Sequence, residues 1–241
     1  MCIRDRINFI QVGIDYWGTI RAGHQGWHAH GGHGTGRKWP VVFAGILLDD
    51  PDMQNIYTVR PDVFLGEDQH TMYGNGWTGA TALYAGHYGR EGHPNYPDWG
   101  PYEHLYPTQW PGTIGESYRR CCTSIAWVGE ATAIKIMQAQ KIWGYPHFFD
   151  YVERWMTEDD TEHIQIINDA GKGDYSASYL RQRQAWDTFV EQMWHTYWFA
   201  DLLSPNSPTN PQIIQVTDHS ISLSWLASAQ ADDGDYAEYY I

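Results

Sequence analysis

Four histidines, His24, His28, His30 and His33, share a short stretch with Trp27 that runs straight into Arg37-Lys38-Trp39-Pro40. Imidazole changes its charge near neutral pH and is a common metal ligand. The interspersed glycines, Gly26, Gly31, Gly32, Gly34 and Gly36, let a backbone bend tightly enough to gather such side chains. This loop reads as the edge of an active site: His30 and His33 as proton-transfer groups, Trp27 and His28 as contact residues, Arg37 and Lys38 as partners for a carboxylate. A divalent metal on His28, His30 and His33 is the weaker alternative, because zinc needs a further carboxylate or nitrogen and no Cys-x-x-Cys or His-Glu-x-x-His accompanies them.

A second group follows in Glu67-Asp68-x-His70 and Tyr73. Paired carboxylates serve as general acid and base in glycoside hydrolysis. Tyr or His instead abstracts a proton next to a carboxylate that a cation has neutralised. The plain reading is solvated loop acids and a core tyrosine. Arg37-Lys38 and Arg119-Arg120 each open a predicted helix, the unfavourable end for cations. Each pair therefore needs an internal carboxylate or a substrate's, and together they would make an anion-attracting rim. Cys121-Cys122 reads as packing at a helix start rather than as a nucleophile. Neighbouring cysteines rarely bridge each other, so the chain does not read as a disulfide scaffold. His87, His93, His104, Trp99 and Trp110 have no diagnostic spacing.

The elements that must position these groups are mostly helical. Ile10, Ile14, Trp17 and Ile20 recur at helical spacing and predict a helix over 7–22. Pro40 suits the first turn of a second helix that stops before Pro51. Helix, glycine loop, helix makes an αα-hairpin. From about 55 to 118 the pattern dissolves into an irregular aromatic stretch with one short helical candidate at 78–88; loops this long are usually functional. Further helices are expected over 124–143, 147–156 and 179–199, the last with an aromatic side at Trp186, Phe189, Met193 and Tyr197, and 157–178 reads as loop. Residues 204–211 form a Pro/Ser/Asn linker. Beyond it, Ile213, Gln215-Val216 and Ile221 to Trp225 alternate with period two, as strands do.

Composition narrows the classes. A chain of 241 residues with 42% hydrophobic residues can bury a core. A net charge of −14 argues against nucleic acid, which requires a basic face, and against an anionic membrane surface. No apolar run is long enough for a transmembrane span. The 13 Trp and 17 Tyr exceed what core filling needs, and their flat, partly polar faces suit stacking on sugar rings. Met1 to Arg6 reads as translated adapter sequence.

Two family resemblances follow. Pro208-x-x-Pro211, Val216-Thr217-Asp218-x-Ser220-Ile221-x-Leu223-x-Trp225 and Asp235-x-x-x-Tyr239-Tyr240-Ile241 resemble the opening strands of a fibronectin type III domain, which implies a β-sandwich truncated here. Asp232-Asp233-Gly234-Asp235 reads as the turn between two strands rather than a calcium loop. The hairpin at 7–50, the aromatic loop after it and the Tyr118 to Thr123 lead-in to a helix resemble the second half of an (α/α) toroid, the architecture of six-hairpin glycosidases and several polysaccharide lyases. The expected fold is thus mainly α: helical hairpins of an incomplete toroid over 7–203, then a partial β-sandwich over 212–241. The resemblance implies a secreted or cell-surface enzyme acting on a polysaccharide, with the fibronectin-like module as a means of surface or matrix association. A lyase acting on a uronate-containing polymer by β-elimination is the leading expectation. Alternatives are a hydrolase using Glu67 or Asp68, or a non-catalytic glycan binder.

Overall fold

The computed structural model describes residues 3–85, 103–110, 119–173 and 183–200, together with the strands at 209–216 and 221–226. The chain divides into two units, Met1–Ala200 and Asp201–Ile241. The first is mainly helical. No helix among the described residues is long and apolar enough to cross a membrane.

The expected αα-hairpin is present: α1 spans Ile3–Arg21 and α2 spans Lys38–Leu47. Its two helices approach closely at Gly13, where a β-carbon would lie 2.1 Å from the Pro40 carbonyl oxygen. Trp17 and Ile20 bury their side of α1 against Val41, Val42 and Ala44. Asp50 then starts the short α3, Pro51–Gln54, by accepting from the Asp52 and Met53 amides, which satisfies donors that have no partner within the helix.

Over 55–85, where it is described, the stretch expected to be irregular is instead built from small elements: α4 (Ile56–Val59), α5 (Gly66–His70), and strands that return the chain to the hairpin. Strand β1 (Gly26–Trp27) pairs in parallel with β2 (Phe64–Leu65), and β3 (Thr71–Tyr73) pairs antiparallel with β4 (Ala82–Tyr84). The helical candidate at 78–88 is overturned where it is described. Ala82, Leu83 and Tyr84 are all buried in β4, and a strand hidden on both faces loses the alternation that would identify it.

The helix expected over 124–143 is two. α6 (Ile125–Ile136) ends where Gln138 takes a positive φ of 54°; α7 (Gln140–Trp143) stops at Gly144 in the left-handed region. Pro146 opens α8 (Pro146–Thr157), whose Phe148, Phe149, Tyr151, Val152, Trp155 and Met156 are buried on one side. Residues 157–178 contain a helix after all, α9 (Thr161–Asp169). The final helix is shorter than expected: α10 covers Thr188–Tyr197 and is capped by Asp187 onto the Val190 amide. Its aromatic side also differs. Trp194 and Trp198 are buried, whereas Trp186 and Phe189 are each 66% exposed.

The expectation that Cys121 and Cys122 do not bridge is overturned: they form a disulfide. The bonded pair lies in a π-helical turn, Arg120–Ser124, that leads directly into α6. In the second unit β5 (Thr209–Val216) and β6 (Ile221–Leu226) pair antiparallel. The strand therefore begins inside the stretch read as linker. Asp232 to Asp235 and the remaining fibronectin-like segment lie outside the described residues.

Candidate functional site

The segment Glu67-Asp68-Gln69-His70 in α5 holds the histidine loop with every one of its polar side chains. Glu67 Oε1 accepts from the amides of Gly36 (2.5 Å) and Arg37 (3.3 Å). It thereby caps α2, where a negative charge is favoured. Asp68 Oδ2 accepts from Lys38 Nζ at 2.7 Å. Gln69 accepts from the Ala29 amide at 3.0 Å, and His70 Nε2 from the Gly31 amide at 2.9 Å. His70 is thus a buried acceptor stacked on Tyr84, not a substrate-facing group. Backbones close the remaining gap. β-Carbons at Gly66 and Gly34 would lie 2.2 Å from the Gly34 oxygen and 2.0 Å from the His28 oxygen. Gly66→Ala and Gly34→Ala are each expected to lower stability by about 1–3 kcal/mol, read as a shifted midpoint in thermal or denaturant unfolding.

The histidines themselves diverge. His28 stacks on Phe64 with centroids 4.1 Å apart, while the His30 and His33 rings stand 5.5 Å apart. Burial, then His33, lowers the His30 pKa. Among the described residues no group of three His, Cys, Asp or Glu is placed to hold a metal ion, so the metal alternative at His28, His30 and His33 finds no geometric support. Trp27 packs against Tyr16. Arg37 turns back onto its own loop, donating to the carbonyls of His33 and Thr35.

The expected cationic rim is overturned, because three of its four members lie inside and the half-buried Arg37 is turned onto its own loop. Lys38 is 1% exposed, Arg119 2% and Arg120 0%. Internal carboxylates answer them: Glu103 for Arg119 and Asp160 for Arg120. Burial raises the Glu103 pKa, but Arg119 and Arg154 outweigh it and hold that carboxyl below the usual range. Arg119 also donates to Tyr151 Oη at 2.7 Å. These groups form a structural network in the protein interior.

Lys38 occupies a more particular place. Its Nζ donates to Asp68 and to the Trp143 carbonyl (2.6 Å), and lies 4.1 Å from the Trp143 ring centre, 4.8 Å from Tyr145 and 5.2 Å from Tyr57. Burial lowers its pKa against the pull of Asp68. Tyr57 Oη donates to the same Asp68 oxygen, and burial followed by Asp68 raises its pKa. Lys38, Asn55, Tyr57, Lys141, Trp143 and Tyr145 line a cavity of about 300 Å³. A second cavity of about 490 Å³ shares Lys141 and Gly144 with the first and is bounded by Pro146, Phe149, Asp150 and Trp198.

Behind Lys38 sits a carboxyl pair whose second member the sequence reading missed. Glu130 hydrogen-bonds Glu67, and burial, followed by the two neighbouring carboxylates, raises its pKa well above the ordinary value. Glu67 Oε2 and Glu130 Oε1 are buried without a donor; one proton held between the two carboxyls satisfies both. Burial raises the Glu67 pKa as well, but the amides it faces oppose that rise, so the larger upward shift falls on Glu130 and the shared proton is assigned to it. The unfolded chain loses that proton at the ordinary carboxylate value and the folded one retains it, so stability falls as pH rises between the two. Glu130→Gln, which keeps a donor toward Glu67, is expected to remove this fall. It should gain about 1.4 kcal/mol for each unit by which pH stands above the unfolded value within that window, measured by denaturation from acid to neutral pH.

Two exposed or half-buried groups, His147 and Tyr73, stand next to residues that line the cavities. Thr71 Oγ1 donates to the Glu67 carbonyl (3.2 Å) and lies 2.8 Å from His147 Nδ1. With its proton so used, the hydroxyl accepts from Nδ1–H, and Nε2 keeps its lone pair. Burial lowers the His147 pKa, opposed by Asp68 and aided by Lys38, so the ring is neutral at neutral pH. The His147 ring packs edge-on to Tyr145, which lines the first cavity, and to Tyr73 at 5.7 Å. Tyr73 is 50% exposed and donates to Asp150, which lines the second. That hydrogen bond, then burial, pushes the phenol up to about 12. Titration of tyrosinate absorbance should place Tyr73 among the late-ionising tyrosines, and Asp150→Asn should return one of those transitions toward about 10, with the buried Tyr57 and Tyr151 remaining late.

His147 was not anticipated, although a histidine following the helix-starting Pro146 was a visible signal. Of the anticipated groups, Glu67, Asp68, Lys38 and His70 converge, and Tyr73 stands next to His147. His28, His30, His33 and Arg37 line neither of these two cavities. His104 is exposed and Trp110 is buried; His87, His93 and Trp99 lie outside the described residues. Comparison with known protein families, with curated proteins and with solved structures finds no match.

Proposed function

We propose that the first unit is carbohydrate-active and cleaves an acidic, uronate-containing polysaccharide by β-elimination. The observation that carries this reading is the pairing of His147, whose Nδ1 lies 2.8 Å from Thr71 Oγ1 and whose Nε2 is thereby left to take a proton, with the Tyr73 phenol, each beside a residue that lines one of the two cavities, Tyr145 and Asp150. In that reaction His147 Nε2 takes the proton next to the uronate carboxylate. The electrons left behind form the ring double bond, and the glycosidic oxygen departs with the Tyr73 proton. A phenol held near 12 remains a good donor to a more basic leaving alkoxide. Lys141 lines both cavities and has no ion-pair partner among the described residues, which supports an anionic substrate.

Hydrolysis is less well supported. It needs two carboxyls flanking the bond, and Glu67 and Asp68 are buried and committed to the histidine loop, Lys38 and Tyr57. The aromatic lining of the first cavity favours a second reading, a non-catalytic glycan-binding unit. The hairpin α1–α2 supports a toroid-like architecture and the β5–β6 pair a fibronectin type III-like module. With them goes the proposal of a secreted or surface-associated protein. The test is a screen of uronate-containing and neutral polysaccharides, following near-ultraviolet absorbance and reducing ends together. Absorbance is expected with a uronate polymer. Reducing ends alone would replace elimination by hydrolysis, and binding without either signal would leave the glycan binder.

A further inference from the structure

We infer that Cys121–Cys122 is a thiol–disulfide exchange site whose redox state sets the conformation of the histidine loop, independently of the reaction proposed above. Successive side chains of an α-helix point about 100° apart, too divergent for two bonded sulfurs, whose β-carbons must lie roughly 4 Å from each other. A helix can therefore accommodate this bond only where its register is disturbed. The five residues Arg120–Ser124 that carry it are π-helical, and regular α-helix resumes at Ile125. Short π segments inside α-helices occur frequently at functional sites. Breaking the bond removes the reason for the π turn and allows Arg120–Ser124 to take the α-helical register of α6.

That turn touches the loop. A β-carbon at Gly32 would lie 2.7 Å from the Cys122 carbonyl oxygen and 3.9 Å from its β-carbon. Gly32 sits between His30 and His33, within the turns closed by His33 N–H to the His30 carbonyl and Gly34 N–H to the Gly31 carbonyl, both 3.1 Å. On either side of the cysteines the backbone is fixed: Arg120 by Asp160, and Ser124 by Tyr151 at 2.7 Å. A change of register between those anchors displaces the Cys122 carbonyl, and Gly32 is the backbone packed on it. Both cysteines are half-buried, which leaves a small dithiol access. One reductant thiolate attacks a sulfur, giving a mixed disulfide and a cysteine thiolate. The second reductant thiol resolves it, so two electrons and two protons pass to Cys121 and Cys122 and the reductant leaves as its own disulfide.

The experiment uses the full chain, with dithiothreitol as the reductant, and reads alkylation by intact mass and amide exchange by peptide. Without reductant Cys2 alone should alkylate; after reduction all three cysteines should. Reduction should speed exchange in 28–38 and 120–124 about tenfold or more, as for a locally opened segment, and leave 146–157 unchanged. Cys121→Ser/Cys122→Ser should show the fast loop with and without reductant. Alkylation of the pair before reduction, or an unchanged loop after it, would overturn the inference. So would acceleration extending through 146–157, because the bond would then be a global staple.

Discussion

Asp68→Ala is expected to lower the unfolding free energy by about 3–5 kcal/mol, the range for a buried charge left without its partner. Among the described residues Asp68 supplies the one carboxylate oxygen in direct contact with Lys38 Nζ, and the side chains of both residues are 2% exposed. The lysine cannot escape to solvent, because the rings of Trp143, Tyr145 and Tyr57 enclose it. Its remaining acceptor is the Trp143 carbonyl. Lys38→Met/Asp68→Ala should recover much of the loss, since no charge is then left unpaired, and the recovery gives the coupling of the pair. Denaturant titration at neutral pH reads both effects. A loss in Asp68→Ala within about 1 kcal/mol, the range of surface ion pairs, would remove the pair from its central position.

This pair also shows what the sequence could and could not disclose. Glu67, Asp68, His70 and Lys38 were legible as a chemically dense set because their types and spacing are local. Their direction was not. A cation at a helix start signals only that a partner exists, and whether that partner is a substrate or Asp68 depends on how α5 folds back onto the histidine loop. Glu130 stayed hidden because it is a single carboxyl within an otherwise apolar helical stretch, and nothing in the chain pairs it with Glu67. The αα-hairpin and the β5–β6 strands follow from periodicity. β4 did not, because a strand buried on both faces carries no period. The aromatic side of α10 was misplaced because spacing selected Trp186 and Phe189, whereas Trp194 and Trp198 are the rings that meet the core. The disulfide was missed because its accommodation by a π turn is invisible in an adjacent Cys-Cys.

His147→Ala and Tyr73→Phe are each expected to reduce turnover about 10²–10⁴-fold, the usual contribution of a positioned acid or base. The two should fail differently. His147 is oriented through Thr71 Oγ1, itself held by the Glu67 carbonyl, so Thr71→Val should share part of the His147 defect through misorientation while leaving substrate affinity intact. The lowered His147 pKa places the rate rise on the acid side of its ordinary value, where the imidazole first becomes free of its proton. The Tyr73 phenol, held near 12 by Asp150, sets a decline only in strong alkali, and Asp150→Asn should bring that decline toward neutrality. Neither variant should disturb folding, because the Tyr73 ring is half exposed and His147 lies outside the Glu103–Arg119–Arg154 network.

The most direct measurement is near-ultraviolet absorbance during incubation of the full chain with uronate-containing polysaccharides, run in parallel with Tyr73→Phe and His147→Ala. Rising absorbance from the unsubstituted chain, reduced at least a hundredfold in both variants, is the predicted result. Reducing ends without absorbance, or absorbance that persists in both variants, would contradict elimination by this pair.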